Sequence, residues 1–277
     1  FYTEDYEKEN GYENDGWNNS GHSGQTEKPE TTAPVVQWNG KERVYEVTLP
    51  AGSSGPQRVT IPGAQGQIVV IVHQDGSEEI VKKSMAQDGQ VSFLLEESAS
   101  VKLVNYTNPF GDIVQDAWYA DAVGFVAGRE LFLGVDEGRF APDETLSRSM
   151  LATVLYRLEE PDFSSTENVF VDTQADAWYT QAVMWTAEEG IVLGYADGRF
   201  GPEDPITREQ LALMLYRYAE TTGLSTSGRD TLRSFSDSSR ISAWARDAMA
   251  WAVDSGILTG QPDGTLNPAG FATRAEA

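Results

Sequence analysis

A repeat that occurs three times between Phe110 and Ala277 constrains the fold more than any other feature of this 277-residue sequence. Its most visible marks are three tryptophans at nearly equal intervals, each followed at one fixed distance by a glycine. A second glycine and a proline follow in the same register. The repeated positions are Trp118, Trp178 and Trp244, then Gly134, Gly194 and Gly260, then Gly138, Gly198 and Gly264, then Pro142, Pro202 and Pro268. Chance does not produce such a register three times, so the chain is expected to fold as similar units that pack on one another.

Each unit is predicted to contain a helix, a loop and a second helix. In the second copy the first helix is indicated by residues at helical spacing: Trp178, Ala182, Val183, Trp185 and Thr186. Gly190 then ends this helix. The second helix places Leu211, Met214, Leu215 and Tyr218 on one apolar face. One unit cannot bury its apolar surface alone, so we expect the three units to share a core.

A hydroxyl residue followed by arginine begins each predicted second helix: Ser147-Arg148, Thr207-Arg208 and Thr273-Arg274. The hydroxyl groups predict helix N-caps, and Gln210 and Glu276 complete capping boxes. Met150 occupies the equivalent position in the first copy and cannot complete one.

The three arginines need a separate explanation, because a cation in the first turn of a helix opposes the helix dipole. A guanidinium beside free helix N–H groups offers a site for a carboxylate. The alternative is a structural salt bridge to a neighbouring acidic residue. We expect anion binding, in which case Arg208→Ala weakens binding and leaves the Tm nearly unchanged.

The repeated tryptophans and glycines allow two interpretations each. A tryptophan at helical spacing packs in a core, or it stacks on a sugar face beside an anion site. The glycines after the first helix allow positive φ or a close approach of the backbone.

The part of the chain before the repeats has a different pattern. Residues 1–38 are acidic and rich in Gly, Asn and Ser, which predicts a linker or tail. Residues 39–107 alternate with period two and contain the hairpin dipeptides Asp75-Gly76 and Asp88-Gly89. About six strands are predicted, at 43–49, 57–61, 67–73, 78–83, 90–95 and 100–106. They indicate a small antiparallel β-sandwich or barrel.

Composition excludes several classes of function. A net charge of −23 argues against nucleic acid as a partner, because a duplex binder needs a basic face. The absence of cysteine excludes disulfides, thiolate metal sites and cysteine nucleophiles. No apolar run reaches the roughly 18 residues needed to cross a bilayer, so membrane insertion is not expected. The Asp-Gly turns lack the ligand spacing of calcium loops, and His22 and His73 are the two histidines, so we expect no metal, no cofactor and no enzyme activity.

The order of motifs resembles that of the S-layer homology domain. Each unit opens with Phe-x-Asp and continues with Ala-Trp and Gly-x-x-x-Gly-x-Phe-x-Pro, in which Leu266 replaces the Phe of the last copy. Each then reaches the position of Thr-Arg-Ala-Glu, which the last copy retains as Thr273-Arg274-Ala275-Glu276. The resemblance covers residues 110–277. It implies a pseudo-threefold assembly around a central helical bundle. It also implies grooves between repeats that bind a secondary cell-wall polysaccharide, often one with acidic pyruvate-ketal sugars.

The sequence therefore predicts an α+β, multidomain protein with a tail (1–38), an all-β domain (39–107) and three repeats (108–162, 163–228 and 229–277). The expected function is anchoring of a secreted protein to cell-wall polysaccharide at the cell surface. Assembly with copies of itself into a surface lattice is the alternative. The candidate polysaccharide-binding residues are Trp118, Arg148, Trp178, Arg208, Trp244, Arg274, Gly134, Gly194 and Gly260. Departures from the motif at Ser147–Met150 and Gln210, and the end of the sequence at Ala277, predict grooves that differ from one another.

Overall fold

The N-terminal part of the fold is antiparallel β-structure. The computed structural model describes residues 33–165, 167–228 and 231–277. Within them eight strands form two sheets: β1 (Val35–Asn39), β2 (Val44–Thr48), β3 (Gln57–Pro62), β4 (Gln67–Val72), β5 (Glu78–Ile80), β6 (Ser84–Gln87), β7 (Gln90–Leu95) and β8 (Ala99–Asn105). The first sheet has the order β1-β2-β8-β4-β5 and the second has the order β3-β7-β6.

The two sheets enclose one apolar core. Val47, Val69 and Val101 contribute to it from the larger sheet, and Val59 and Phe93 contribute from the smaller one. All five side chains are at most 3% exposed. Alternate residues of each strand face this core, which is why the period-two pattern predicted strands here.

Two strands differ from the sequence-based expectation. β1 lies almost entirely within the segment predicted to be a tail, and it pairs with β2 from Val35↔Thr48 to Asn39↔Val44. The strand predicted at 78–83 ends at Ile80 as β5, and β6 at Ser84–Gln87 was not predicted. β5 pairs with β4 in one sheet, whereas β6 pairs with β7 in the other. The chain changes sheets at 81–83, and a pattern of alternation does not reveal such a crossing. Residues 1–32 of the predicted tail lie outside the described residues.

Helices follow the sheets, which confirms the α+β class. The five α-helices of the described residues are α1 (Ala120–Gly128), α2 (Arg148–Glu159), α3 (Thr180–Glu188), α4 (Arg208–Thr221) and α5 (Arg246–Asp254). The first and second repeats thus each have two helices, as predicted. The third has α5, preceded by short 3₁₀ turns, and a turn at 274–276. None of the helices in the described ranges has the length and apolar character required to span a bilayer.

The helices share cores across repeat boundaries. Leu151 and Leu155 of α2 pack in one cluster with Val183 of α3 and with Leu211 and Met214 of α4. A second cluster joins Ala212 and Ala219 of α4 to Met249 of α5 and to Leu266. Each repeat therefore buries its apolar face against another repeat, as expected for a unit too small to close a core alone.

Three backbone hydrogen bonds connect the repeats in a closed cycle. The N–H of Leu146 donates to the carbonyl of Ala272, that of Ile206 donates to Leu146, and that of Ala272 donates to Ile206, each at 2.9 Å. All three residues are 0% exposed. Because every repeat donates once and accepts once, none of the three links can be removed without leaving a buried polar group unpaired.

An aspartate near the start of each repeat fixes the loop between its helices. The Asp112 carboxylate accepts hydrogen bonds from the N–H groups of Phe140 at 2.9 Å and Ala141 at 2.7 Å. Asp172 and Asp237 bind the equivalent N–H groups of their own repeats at 2.7–2.8 Å. The Phe-x-Asp motif therefore serves loop geometry. Ala141 has φ of 60°, a conformation that the two hydrogen bonds help to hold.

Arg129 joins the β-structure to the first repeat. It follows α1, is 3% exposed, and donates from Nε to the carbonyl of Ser84 at 3.1 Å. Its Nη2 donates to the carbonyl of Gln67 at 3.5 Å. Burial lowers the pKa of Arg129 to about 10, so the guanidinium stays charged at neutral pH. An ion pair between Lys83 and Glu159 at 2.6 Å adds a second contact between the two parts.

The pH dependence of stability tests the role of Asp112. Burial opposes ionisation of Asp112, but the N–H groups of Phe140 and Ala141 outweigh it and lower the pKa of this carboxyl. The stabilisation is therefore complete above the ordinary aspartate pKa of about 3.9 and is lost as the pH falls through the lowered pKa. We expect Asp112→Asn to reduce the free energy of unfolding by about 1 kcal/mol at pH 7, since solvent screens part of the interaction.

Urea unfolding of both proteins between pH 2.5 and pH 7 measures this effect. The difference between wild type and Asp112→Asn should shrink below about pH 4. A difference that stays constant over this range would show that the carboxylate charge has no part in holding the loop.

Candidate functional site

The three arginines at the starts of second helices are buried contacts between repeats. Arg148, Arg208 and Arg274 are 5%, 4% and 5% exposed. Each guanidinium donates to two backbone carbonyls of another repeat: Arg148 to Phe200 (2.7 Å) and Leu193 (2.9 Å), Arg208 to Leu266 and Thr259 (both 2.9 Å), and Arg274 to Phe140 (2.8 Å) and Leu133 (2.9 Å). The contacts run from the first repeat to the second, from the second to the third and from the third to the first.

The helix N–H groups next to these arginines are not free, contrary to the sequence-based expectation. The N–H of Arg148 donates to the carbonyl of Asp204 at 3.1 Å, and that of Ser149 donates to Pro202 at 3.1 Å. The pattern recurs in the other copies, where the backbone N–H of Arg208 donates to the carbonyl of Gly270 and that of Arg274 donates to the carbonyl of Glu144, both at 2.9 Å. Packing between repeats consumes the donors that an isolated helix would offer to an anion. Any anion site here therefore depends on the side chains.

Aromatic rings surround two of the guanidiniums. The Arg148 Cζ atom lies 4.8 Å from the ring centre of Tyr195 and 5.0 Å from that of Phe200. The Arg274 Cζ atom lies 4.7 Å from the ring centres of Phe132 and Phe140. Burial lowers the pKa of both arginines, and nearby acidic groups oppose the shift. Cation–π contacts and carbonyl acceptors compensate for the loss of water around these charges.

A groove beside Arg148 brings three repeats together. We call it the Arg148 groove. It encloses about 320 Å³ and is lined by Arg148 of the first repeat, residues Val192, Leu193, Gly194, Gln210, Leu213, Met214 and Arg217 of the second, and Trp244 of the third. Its volume is at the lower end of the range typical of small-ligand sites.

The Arg148 groove is locally cationic. Arg148 and Arg217 line it, and none of the described residues in its lining is acidic. Arg217 has no salt-bridge partner within residues 33–165, 167–228 and 231–277. In a chain of net charge −23, this groove therefore offers local positive charge to a negatively charged ligand.

The three repeated tryptophans are on the surface. Trp118, Trp178 and Trp244 are 73%, 59% and 53% exposed. Of the two interpretations, the position in a packed core does not apply to these rings. Trp118 and Trp178 make edge contacts with Tyr119 and Tyr179, whereas Trp244 lines the Arg148 groove.

The repeated glycines allow a close approach of an aromatic side chain. A Cβ atom on Gly134, Gly194 or Gly260 would lie 2.4–2.7 Å from the ring of Phe110, Phe170 or Phe235, respectively. These positions therefore exclude every larger residue. Positive φ belongs instead to the next glycines in the motif, Gly138, Gly198 and Gly264, at 76–83°. Gly194 also lines the groove.

Sequence reasoning missed Arg217 as a groove residue. Gln210, Met214 and Arg217 follow one another at intervals of four and three positions, so they share one face of α4. Arg157 holds the same position in α2, nine positions after the motif arginine. This second spacing shared by two copies was the available signal. Arg157 donates to the carbonyl of Leu131 at 3.2 Å.

Removal of a motif arginine should destabilise the fold. This differs from the sequence-based expectation that Arg208→Ala leaves the Tm nearly unchanged. Arg208→Ala leaves the carbonyls of Thr259 and Leu266 and the carboxylate of Glu276 without their partner. We expect the free energy of unfolding to fall by about 3 kcal/mol, measured by urea denaturation. Arg199→Ala is the control, because Arg199 is an exposed arginine paired with Asp197. Equal stability of the two variants would contradict a structural role for Arg208.

Comparison with known proteins agrees with this architecture. The family profile of the S-layer homology domain matches residues 109–149, 169–212 and 234–277. An amylopullulanase of Thermoanaerobacterium thermosulfurigenes is 30% identical over 201 residues, which are 72% of this chain and 11% of the relative. A surface-layer 125 kDa protein of Lysinibacillus sphaericus is 28% identical over 70% of the chain and 16% of the relative. A cellulosome-anchoring protein of Acetivibrio thermocellus is 27% identical over 61% of this chain and 37% of the relative.

The chain thus spans between about a tenth and two fifths of the length of these relatives. The three matched segments coincide with the three units found in the sequence and joined by the cycle of hydrogen bonds. The match places the protein at the cell wall or cell surface of the producing cell, where the family supports anchoring. The chain is a member of the S-layer homology domain proteins, with three such domains in its C-terminal part.

Proposed function

We propose that the three repeats hold this protein non-covalently on a cell-wall polysaccharide that carries acidic, pyruvylated sugars. The observation that supports this most strongly is the Arg148 groove, which is cationic and free of acidic lining residues within a strongly acidic protein. Anchoring at the cell surface follows from the family. What we propose beyond it is the chemical class of the polymer, a polysaccharide with carboxylated sugars.

The chemistry of the groove suits a carboxylated sugar. Two of the Arg148 guanidinium nitrogens, Nε and Nη2, are held by Phe200 and Leu193. This leaves Nη1, which has no acceptor among the described residues, to donate to a ligand carboxylate. Arg217 adds a second cation, and the exposed ring of Trp244 offers a flat surface for a sugar face. A guanidinium fixed in advance loses little conformational freedom on binding.

We extend the groove to the other two repeat boundaries and propose a pseudo-threefold arrangement. Its support is the cyclic order of the backbone hydrogen bonds and of the arginine contacts. In this arrangement Trp118 takes the place of Trp244 beside Arg208, and Trp178 takes it beside Arg274. Gly134 and Gly260 are the equivalents of Gly194.

We propose a non-catalytic role for the repeats. Their shared carboxylates Asp112, Asp172 and Asp237 accept two backbone hydrogen bonds each, so they are committed to loop structure. The relatives with enzyme names match over a small share of their length, such as 11% of the amylopullulanase. This is the pattern expected of a shared anchor attached to different proteins.

Self-assembly with further copies is the second candidate. β1 is an edge strand of the larger sheet, and its Trp38 is 57% exposed. Its outer edge pairs with no strand of the described part of the chain, and a strand edge of this kind with an exposed aromatic residue is a surface on which a second copy can pair.

Sedimentation with purified sacculi tests the proposed anchor. We expect the wild-type protein to pellet with intact sacculi and to stay in solution with sacculi stripped chemically of the secondary polymer. The double variant Arg217→Ala/Trp244→Ala should bind at least about tenfold more weakly, since it removes one charge and one stacking surface. Arg246→Ala, an exposed arginine on α5 that does not line the groove, should bind like wild type.

Equal pelleting on stripped and intact walls would contradict polysaccharide anchoring. A tube without wall material distinguishes the second candidate, because a lattice-forming protein pellets there on its own. Equal Tm values for the wild type and the double variant show that any loss of binding is local.

A further inference from the structure

The three motif arginines differ in what lies beside one guanidinium nitrogen. Nε and Nη2 donate to carbonyls of another repeat in every copy, so the remaining nitrogen, Nη1, decides what each guanidinium offers to a ligand. On the Nη1 side of Arg208 and Arg274 lies a residue of another repeat, three positions after its capping hydroxyl residue: Glu276 and Met150, respectively. The cyclic order of the repeats assigns the same place beside Arg148 to Gln210, which lines the Arg148 groove.

At Arg208 this residue is a carboxylate that already occupies Nη1. The Glu276 Oε1 atom accepts from Arg208 Nη1 at 2.8 Å, and both side chains are largely buried, at 5% and 24% exposed. The other oxygen, Oε2, accepts from the N–H of Thr273 at 2.9 Å. The capping interaction therefore holds the carboxylate against the arginine, in the position that a ligand carboxylate would need.

At Arg148 the same position holds a neutral amide. The Gln210 Oε1 atom accepts from the N–H of Thr207 at 2.9 Å, which is the bond that Glu276 makes in the third copy. The rest of the Gln210 amide is an NH₂ group, which cannot accept from a guanidinium. Gln210 and Arg148 both line the groove, and no carboxylate of the described residues accepts a hydrogen bond from this guanidinium. Asp172 and Asp204 act on Arg148 through their charge alone.

At Arg274 the position holds a thioether. Arg274 Nη1 lies 3.7 Å from the Met150 Sδ atom. Sulfur of this kind is a weak acceptor, and it carries no charge that could neutralise the guanidinium. Arg274 is therefore similar to Arg148 in charge, although not in the shape of its surroundings.

We infer that the residue at this position makes the three grooves unequal, so that Arg148 and Arg274 take a carboxylate-bearing sugar while Glu276 blocks the groove at Arg208. This inference rests on the proposed function and assigns it to particular repeats. A ligand carboxylate at Arg208 has to displace Glu276 or bind beside a like charge in a partly buried site. Either event lowers affinity.

Exchange of the residues between copies tests the inference, because the chain itself shows that each fits. Gln210→Glu reproduces the third copy and keeps the capping acceptor, and Gln210→Met reproduces the first copy. The probe is a methyl hexoside bearing a 4,6-pyruvate ketal, titrated into the full chain by calorimetry. We expect Gln210→Glu to weaken binding in the Arg148 groove by about tenfold or more, and Gln210→Met to retain it within about threefold.

Glu276→Gln supplies the opposite change. It should add binding of the same probe, seen as a rise in the number of sites per chain, because it frees Arg208 Nη1 while Gln keeps the capping bond that Gln210 makes. Equal affinity for wild type and Gln210→Glu, with no gain in Glu276→Gln, would overturn the inference while wild-type binding leaves the anchoring function intact. Absence of wild-type binding to both the probe and intact sacculi would overturn the proposed function as well.

Discussion

A buried arginine that reaches from one repeat into another is the contact on which this structure depends. In the first repeat, the N–H of Phe140 donates to Asp112 of the same repeat, and its carbonyl accepts from Arg274 of the third. One loop residue is thus held from both sides, by a carboxylate within its own unit and a guanidinium from another. Phe200 and Leu266 are held in the same way. Removing one arginine disturbs two repeats, because each closes the loop of its neighbour.

The same arrangement prepares a charge for binding. A surface arginine would be mobile and screened by salt, and the chain's net charge of −23 would oppose any anion from a distance. Burial of Arg148 fixes the guanidinium in place, and its Nη1 remains available in a groove without acidic lining residues among those described. In the proposed function, the contact between repeats and the contact with the ligand thus use different atoms of the Arg148 side chain. The proposed capture of an acidic polymer is therefore compatible with a strongly acidic chain.

Much of this architecture could be predicted from the sequence. The register from Trp118 to Thr273 identified the repeats, and Leu211 and Met214 identified the buried face of α4. The burial of Arg148, Arg208 and Arg274 could not be predicted, since it depends on carbonyl groups that are far away in sequence. Helical spacing also suggested a core position for Trp178, which precedes α3 and is exposed. The strand β1 was missed because its pairing with β2 outweighs the composition of the segment around it.

A crystal structure of the full chain with a pyruvylated methyl hexoside tests most directly whether a structurally fixed guanidinium forms the binding site. We predict a ligand carboxylate oxygen about 2.8 Å from Arg148 Nη1, with the sugar ring against Trp244. Nε and Nη2 of Arg148 should remain on the carbonyls of Phe200 and Leu193. A ligand bound away from Arg148, or an Arg148 side chain released from these carbonyls to reach it, would contradict that claim.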